Sequence, residues 1–217
     1  MLAITELDVT LTDYAVAVEC AVFTFLLRDR DPRDHRPLRA WCALFFASVG
    51  AAALIGGTVH GFFVDPRTRG YAILWPAALV SIGVTAWATW MIGAGIRFSA
   101  GVARRIGAAA AAQFAGYCVV VLFVTQAFGA AIANYLPAAV FLLVVLALHY
   151  RRARERPVLM ALAGLGLTFI AAGVQQGGIA LHPVYFNHNA LYHLIQAAAL
   201  LMLFLGLRWI VARRAVE

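Results

Sequence analysis

Long apolar runs broken by short polar clusters set the pattern of this chain, and the runs are far longer than the strands of a barrel would be. Seven of them approach or exceed the roughly 20 residues a helix needs to cross hydrocarbon. They predict transmembrane helices over 12–27, 38–63, 71–96, 106–128, 130–150, 158–179 and 187–211. The division between the fourth and fifth rests on Gly129, Asn134 and Pro137. Neither an internal repeat nor a linker is visible, so residues 1–217 are expected to form a single domain. The expected fold is all-α, a seven-transmembrane helix bundle. Paired small residues inside the runs (Gly56 and Gly57, Gly93 and Gly95, Gly164 and Gly166) mark faces where helices approach closely in lipid.

The polar clusters alternate in charge. Arg28, Arg30, Arg33, Arg36 and Arg39 follow the first run, Arg97, Arg104 and Arg105 the third, and Arg151, Arg152, Arg154 and Arg156 the fifth. Arg213 and Arg214 follow the seventh, whereas the opposite side carries only Arg67 and Arg69. Arginine marks the cytoplasmic side, so the N-terminus is expected outside and the C-terminus in the cytoplasm. Composition agrees: 64% of residues are hydrophobic and 12% charged, half the charged share of an ordinary soluble domain. The expected location is a bacterial inner membrane, crossed many times. The net charge of +7 lies in these short clusters, so it reads as topology and attraction to anionic lipid rather than as a nucleic-acid surface. No lysine occurs, which excludes a retinal Schiff base. The first fourteen residues carry acids and no basic region, unlike a cleavable signal peptide. Cys20, Cys42 and Cys118 lie within apolar runs without metal-type spacing and read as small buried hydrophobes.

Histidine is the chemistry that stands out. Three of the six fall between His182 and His193, where the last run begins, and His60 lies near the end of the second. Ionisable groups at such depth are functional candidates because hydrocarbon offers them no partner. The expected topology brings His60, His182, His188 and His193 to the outer side. Glu19, the acid well inside the predicted first span, should lie at a similar depth to His60 and His193, about 10 Å below the surface at 1.5 Å per residue. Asp65 follows in the short outer loop. Asn189, His193 and Gln196 share one helical face, while His188 is rotated about 140° from His193. His182, before a proline, reads equally as a loop residue, and Gln175 and Gln176 close the sixth run on the same side.

Three imidazoles with an open fourth position suit a catalytic zinc, whose bound water ionises near neutral pH. His60, His188 and His193 are the candidate ligands, with Glu19 or Asp65 as acid–base partner and His182, Asn189 and Gln196 as accessory residues. Seven spans, a histidine near the end of the second, an acid soon after it and paired histidines in the seventh make a pattern that resembles the CREST superfamily of membrane hydrolases, which includes alkaline ceramidases and the progestin and adiponectin receptor proteins. The resemblance implies a zinc-dependent hydrolase acting on a lipid amide or ester that enters from the membrane, with His60 as second-helix ligand and His193 as the second of the seventh-helix pair. This chain carries Asn189 four residues before His193, where the family has a histidine, and Gly56 where it has a serine. Two alternatives stay open: a haem-binding bundle with His60 and His193 as axial ligands, and a non-enzymatic transporter or sensor with a histidine–carboxylate site.

Overall fold

A computed structural model describes residues 4–28 and 36–213. Helices account for nearly all of them: α1 (Leu7–Leu27), α2 (Arg36–Phe62), α3 (Arg69–Arg97), α4 (Ala100–Val119), α5 (Phe128–Ala153), α6 (Arg156–Gln176) and α7 (His188–Arg213). A π-helical turn, Val120–Val124, carries α4 onward, and with it each of the seven is long and apolar enough to cross a membrane. Arg30, Arg33 and Arg214 of the charge pattern lie outside the described residues.

Most boundaries shift by a few residues from the sequence reading, and α4 begins at Ala100 rather than at residue 106. The break between the fourth and fifth helices falls at residues 125–127, and Asn134 and Pro137 lie inside α5. The first helix starts five residues earlier, at Leu7. There Val9 and Thr10 are buried against neighbours, so the polar Asp8 belongs to the helix, and Thr12 and Asp13 lie more than a turn inside it rather than at its start.

Six helices close into a ring in the order α1, α2, α3, α5, α6, α7, and α7 returns to pack on α1. The fourth helix stays outside, held against α3 by Tyr117, whose hydroxyl donates to the Leu79 carbonyl at 2.9 Å. Small residues set the closest approaches. A Cβ on Gly50 of α2 would lie 2.9 Å from Cys20 of α1, and one on Gly164 of α6 would lie 2.7 Å from the Ala199 carbonyl of α7. Where lipid competes for apolar contact, this close packing is the main source of helix–helix attraction. Toward the other end of the ring an aromatic cluster joins three helices. Phe23 of α1 stacks on Phe204 of α7 at 4.2 Å between centroids and meets Phe46 of α2 edge-on at 5.3 Å.

Candidate functional site

The end of the ring at which α1 and α7 begin and α2 ends is tied by polar contacts that converge on α1. Asn187 caps α7, its Oδ1 accepting from the backbone N–H groups of Asn189 (2.8 Å) and Ala190 (3.1 Å), as an N-cap side chain does. Its own N–H donates to Asp8 Oδ2 at 2.9 Å. On the other side of α1, the hydroxyl of Thr5 donates to the carbonyls of His60 (3.0 Å) and Gly61 (2.9 Å), and Glu6 Oε2 lies 2.5 Å from His60 Nδ1. The start of α1 thus closes the open carbonyl end of α2 and the open amide end of α7, groups that a helix cannot satisfy by itself.

Behind this tie the ring encloses a cavity of about 440 Å³ with walls from all six ring helices and none from α4. Its lining is largely apolar and aromatic, including Phe45, Ile82, Phe128 and Phe169. Charged, imidazole and amide groups enter from α1 (Asp13), α2 (His60), α6 (Gln175) and α7 (Asn189, His193, Gln196), and hydroxyls from Thr85, Tyr135, Thr168 and Tyr192. The central contact is between His193 Nε2 and Asp13 Oδ1 at 3.1 Å, with 13% and 6% of the two side chains exposed. The other ring nitrogen, Nδ1, lies 3.2 Å from Thr12 Oγ1. Gly56 and Gly57 make room for the acid. A Cβ on Gly57 would sit 2.8 Å from Asp13 Cβ, and one on Gly56 would sit 3.6 Å from Oδ2. At the rim, Gln175 Nε2 donates to Asn189 Oδ1 at 3.2 Å.

Proton bookkeeping constrains the Thr12–His193–Asp13 row. The single proton of Thr12 goes either to its own helix, at the Asp8 carbonyl (2.8 Å), or to His193 Nδ1. In the first case Nδ1–H donates to Thr12, and Nε2 and Asp13 share one further proton between them. In the second, Nδ1 accepts, Nε2–H donates to an ionised Asp13, and the threonine gives up its bond to the helix. The two arrangements differ by one proton, and they interconvert by reversing the Thr12–His193 hydrogen bond at the cost of the threonine's bond to its own helix.

The residues expected from the sequence separate into two groups. His60 and His193 line the same cavity, together with Asn189 and Gln196. His188, the first residue of α7, does not line it. His182 is exposed in the loop before α7, where its Nδ1 accepts from the N–H groups of Val184 (3.2 Å) and Tyr185 (3.1 Å). Glu19 is not in the cavity wall, and its Oε2 is buried without a partner lower on α1. Asp65 lies in the loop before α3, where the Arg67 guanidinium holds its carboxyl below the usual carboxylate range. The carboxylates at the site are Asp13 and Glu6 instead. Asp13 escaped the sequence reading because a helix drawn from Thr12 leaves it at the membrane edge. The signals that could have found it were its three-and-four helical spacing with Val9, Val16, Cys20 and Phe23, all on the buried face of α1, and the glycine pair opposite.

The placed residues do not fit a three-histidine zinc centre. Among the described residues, no group of three His, Cys, Asp or Glu side chains is close enough to hold a metal ion. Both nitrogens of His193 already face protein groups, and a ligating imidazole needs one of them free. The same occupancy sets His193 against an axial haem position.

Residues 9–211 match the profile of a family described as a family of unknown function (DUF6962). The chain belongs to that family. No curated protein and no solved structure matches the chain. Membership therefore brings no assigned substrate or cofactor, and the site has to be read from its own chemistry.

Proposed function

We propose that this protein is a multi-pass protein of the bacterial inner membrane that binds a small amphiphile in the cavity of its helix ring, at a proton-carrying Asp13–His193 pair. The observation that carries this reading is that pair, 3.1 Å apart and almost wholly buried, in the wall of a largely apolar cavity of about 440 Å³. Pockets of a few hundred Å³, mostly apolar with a few convergent polar groups, are the usual form of small-molecule sites. The alternating arginine clusters support an N-terminus outside and a C-terminus in the cytoplasm, which puts the cavity toward the outer leaflet.

A second reading keeps the hydrolysis of a lipid amide or ester, without zinc. It is favoured by the placement of Asp13, whose Oδ1 is held by His193 while the carboxyl also lines the cavity beside Gly56. A carboxylate held in this way is suited to take a proton from water attacking a carbonyl.

Native mass spectrometry of the protein released from nanodiscs tests both. One bound amphiphile per chain is expected in the wild type, and none in Ala172→Phe, which brings a phenyl ring into the cavity from the α6 wall that Ala172 helps to form. A wild type with no bound species, and no binding of added long-chain alcohol or monoacylglycerol, would sink the first reading. Release of fatty acid from an added monoacylglycerol, abolished in Asp13→Asn while binding persists, would establish the second.

A further inference from the structure

The α7 wall of the cavity carries polar side chains in a row: Asn189, His193 and Gln196, at helical spacings of four and three. Asn189 is satisfied by Gln175, and His193 by Thr12 and Asp13. Gln196 is not. It is 9% exposed, and its Oε1 is buried without a hydrogen-bond partner. A buried acceptor left in this state costs about 1–3 kcal/mol, and in native proteins such groups usually have a partner of some kind. The cavity wall around this row is largely apolar, with Phe45, Ile82 and Phe169 in it, and its hydroxyls at Thr85, Tyr135 and Thr168 make no hydrogen bond to Oε1. A half-turn about the soft Cγ–Cδ torsion exchanges Oε1 with Nε2 and so puts another polar group in the same place; what answers the unpartnered oxygen is a donor brought into the cavity.

We propose that Gln196 is the residue that selects the ligand: its Oε1 receives an O–H or N–H donor on the bound amphiphile. The proposal rests on the amphiphile-binding reading above and deepens it by naming the ligand's chemistry. Three residues of helix separate His193 from Gln196, about 4.5 Å along the axis. The ligand therefore presents a polar edge rather than a single polar end. One group meets the Asp13–His193 pair, and a hydrogen-bond donor stands roughly 4.5 Å further in, with an apolar body against the aromatic walls. Hydroxylated or amide-bearing lipids have this form. Simple esters and ethers lack the donor.

Two matched probes test this in nanodiscs: 11-bromoundecane-1,3-diol, an alcohol with one O–H for the Asp13–His193 pair and a second for Gln196, and its 3-O-methyl ether, which keeps the first and lacks the second. The bromine quenches tryptophan fluorescence, and Trp75 lies in the cavity wall. The Ala172→Phe variant supplies the background from probes dissolved in the surrounding lipid. For the wild type the alcohol should bind about tenfold more tightly than the ether, the worth of one satisfied buried acceptor. In Gln196→Leu the two should bind alike, with the ether as tight as before or tighter. Gln196→Glu, which keeps an acceptor at the same reach, should retain the preference. A preference that survives in Gln196→Leu, or is absent from a wild type that binds the ether, overturns the role of Gln196 and leaves the cavity reading standing. Failure of both probes to quench wild type above background overturns the two together.

Discussion

Asp13 is the residue on which the site depends, and its burial gives it a measurable role in stability. Its carboxyl meets His193, and the two come from opposite ends of the sequence. Truncating one member of a buried polar pair strands the other, which costs more than the pair itself contributes. Asp13→Ala should therefore lower stability by about 2–3 kcal/mol, whereas Asp13→Asn, which keeps a hydrogen-bonding group opposite Nε2, should lose less than half of that. Thermal unfolding of the two variants in the same detergent checks the ordering, and an alanine variant as stable as the asparagine one would contradict it. At this scale the sequence was half readable. His60, His193, Asn189 and Gln196 were legible because polar groups in apolar runs stand out against their surroundings. Their carboxylate partners were not, since Asp13 and Glu6 lie where a polar tail and a membrane helix look the same in composition. Pairing across 180 residues leaves no local trace.

The helices were legible as elements because each carries an apolar run of membrane length between charged clusters. Their contact faces were less so. Gly164 and Gly166 read alike in sequence, but only Gly164 meets α7, and nothing lies within 4 Å of a Cβ on Gly166. The tightest crossing of α6 and α7 is at Gly206, where a Cβ would lie 2.5 Å from both Ala161 Cβ and the Pro157 carbonyl. Backbone cannot step aside as a flexible side chain does. Gly206→Ala should force the two helices apart at a cost of about 1–3 kcal/mol, while Gly166→Ala should be neutral or slightly stabilising because alanine favours the helix. Thermal unfolding of this pair separates the two effects, and equal losses in both variants would mean that helix crossing is not what Gly206 provides.

For the whole molecule, the charge pattern and the seven helices make one prediction about orientation. With Cys118 replaced by alanine, a cysteine at Arg67 should react with a membrane-impermeant maleimide on intact spheroplasts, and one at Arg152 only after the membrane is opened. Labelling in the reverse order would invert the bundle and move the cavity to the cytoplasmic leaflet. The clasp of α1 on α7 also has a consequence in time. Contacts such as Thr12 with His193 and Asp8 with Asn187 join residues 181 and 179 positions apart, so α1 is made long before its partner exists. At synthesis rates of about 5–20 residues per second, Asp13 waits roughly 10–40 s in or beside the membrane before His193 is made. During that interval it must stay protonated or remain at the water interface. The ring is therefore the last thing to close during biogenesis, and until the final helix is inserted the nascent chain has an open side and no finished cavity.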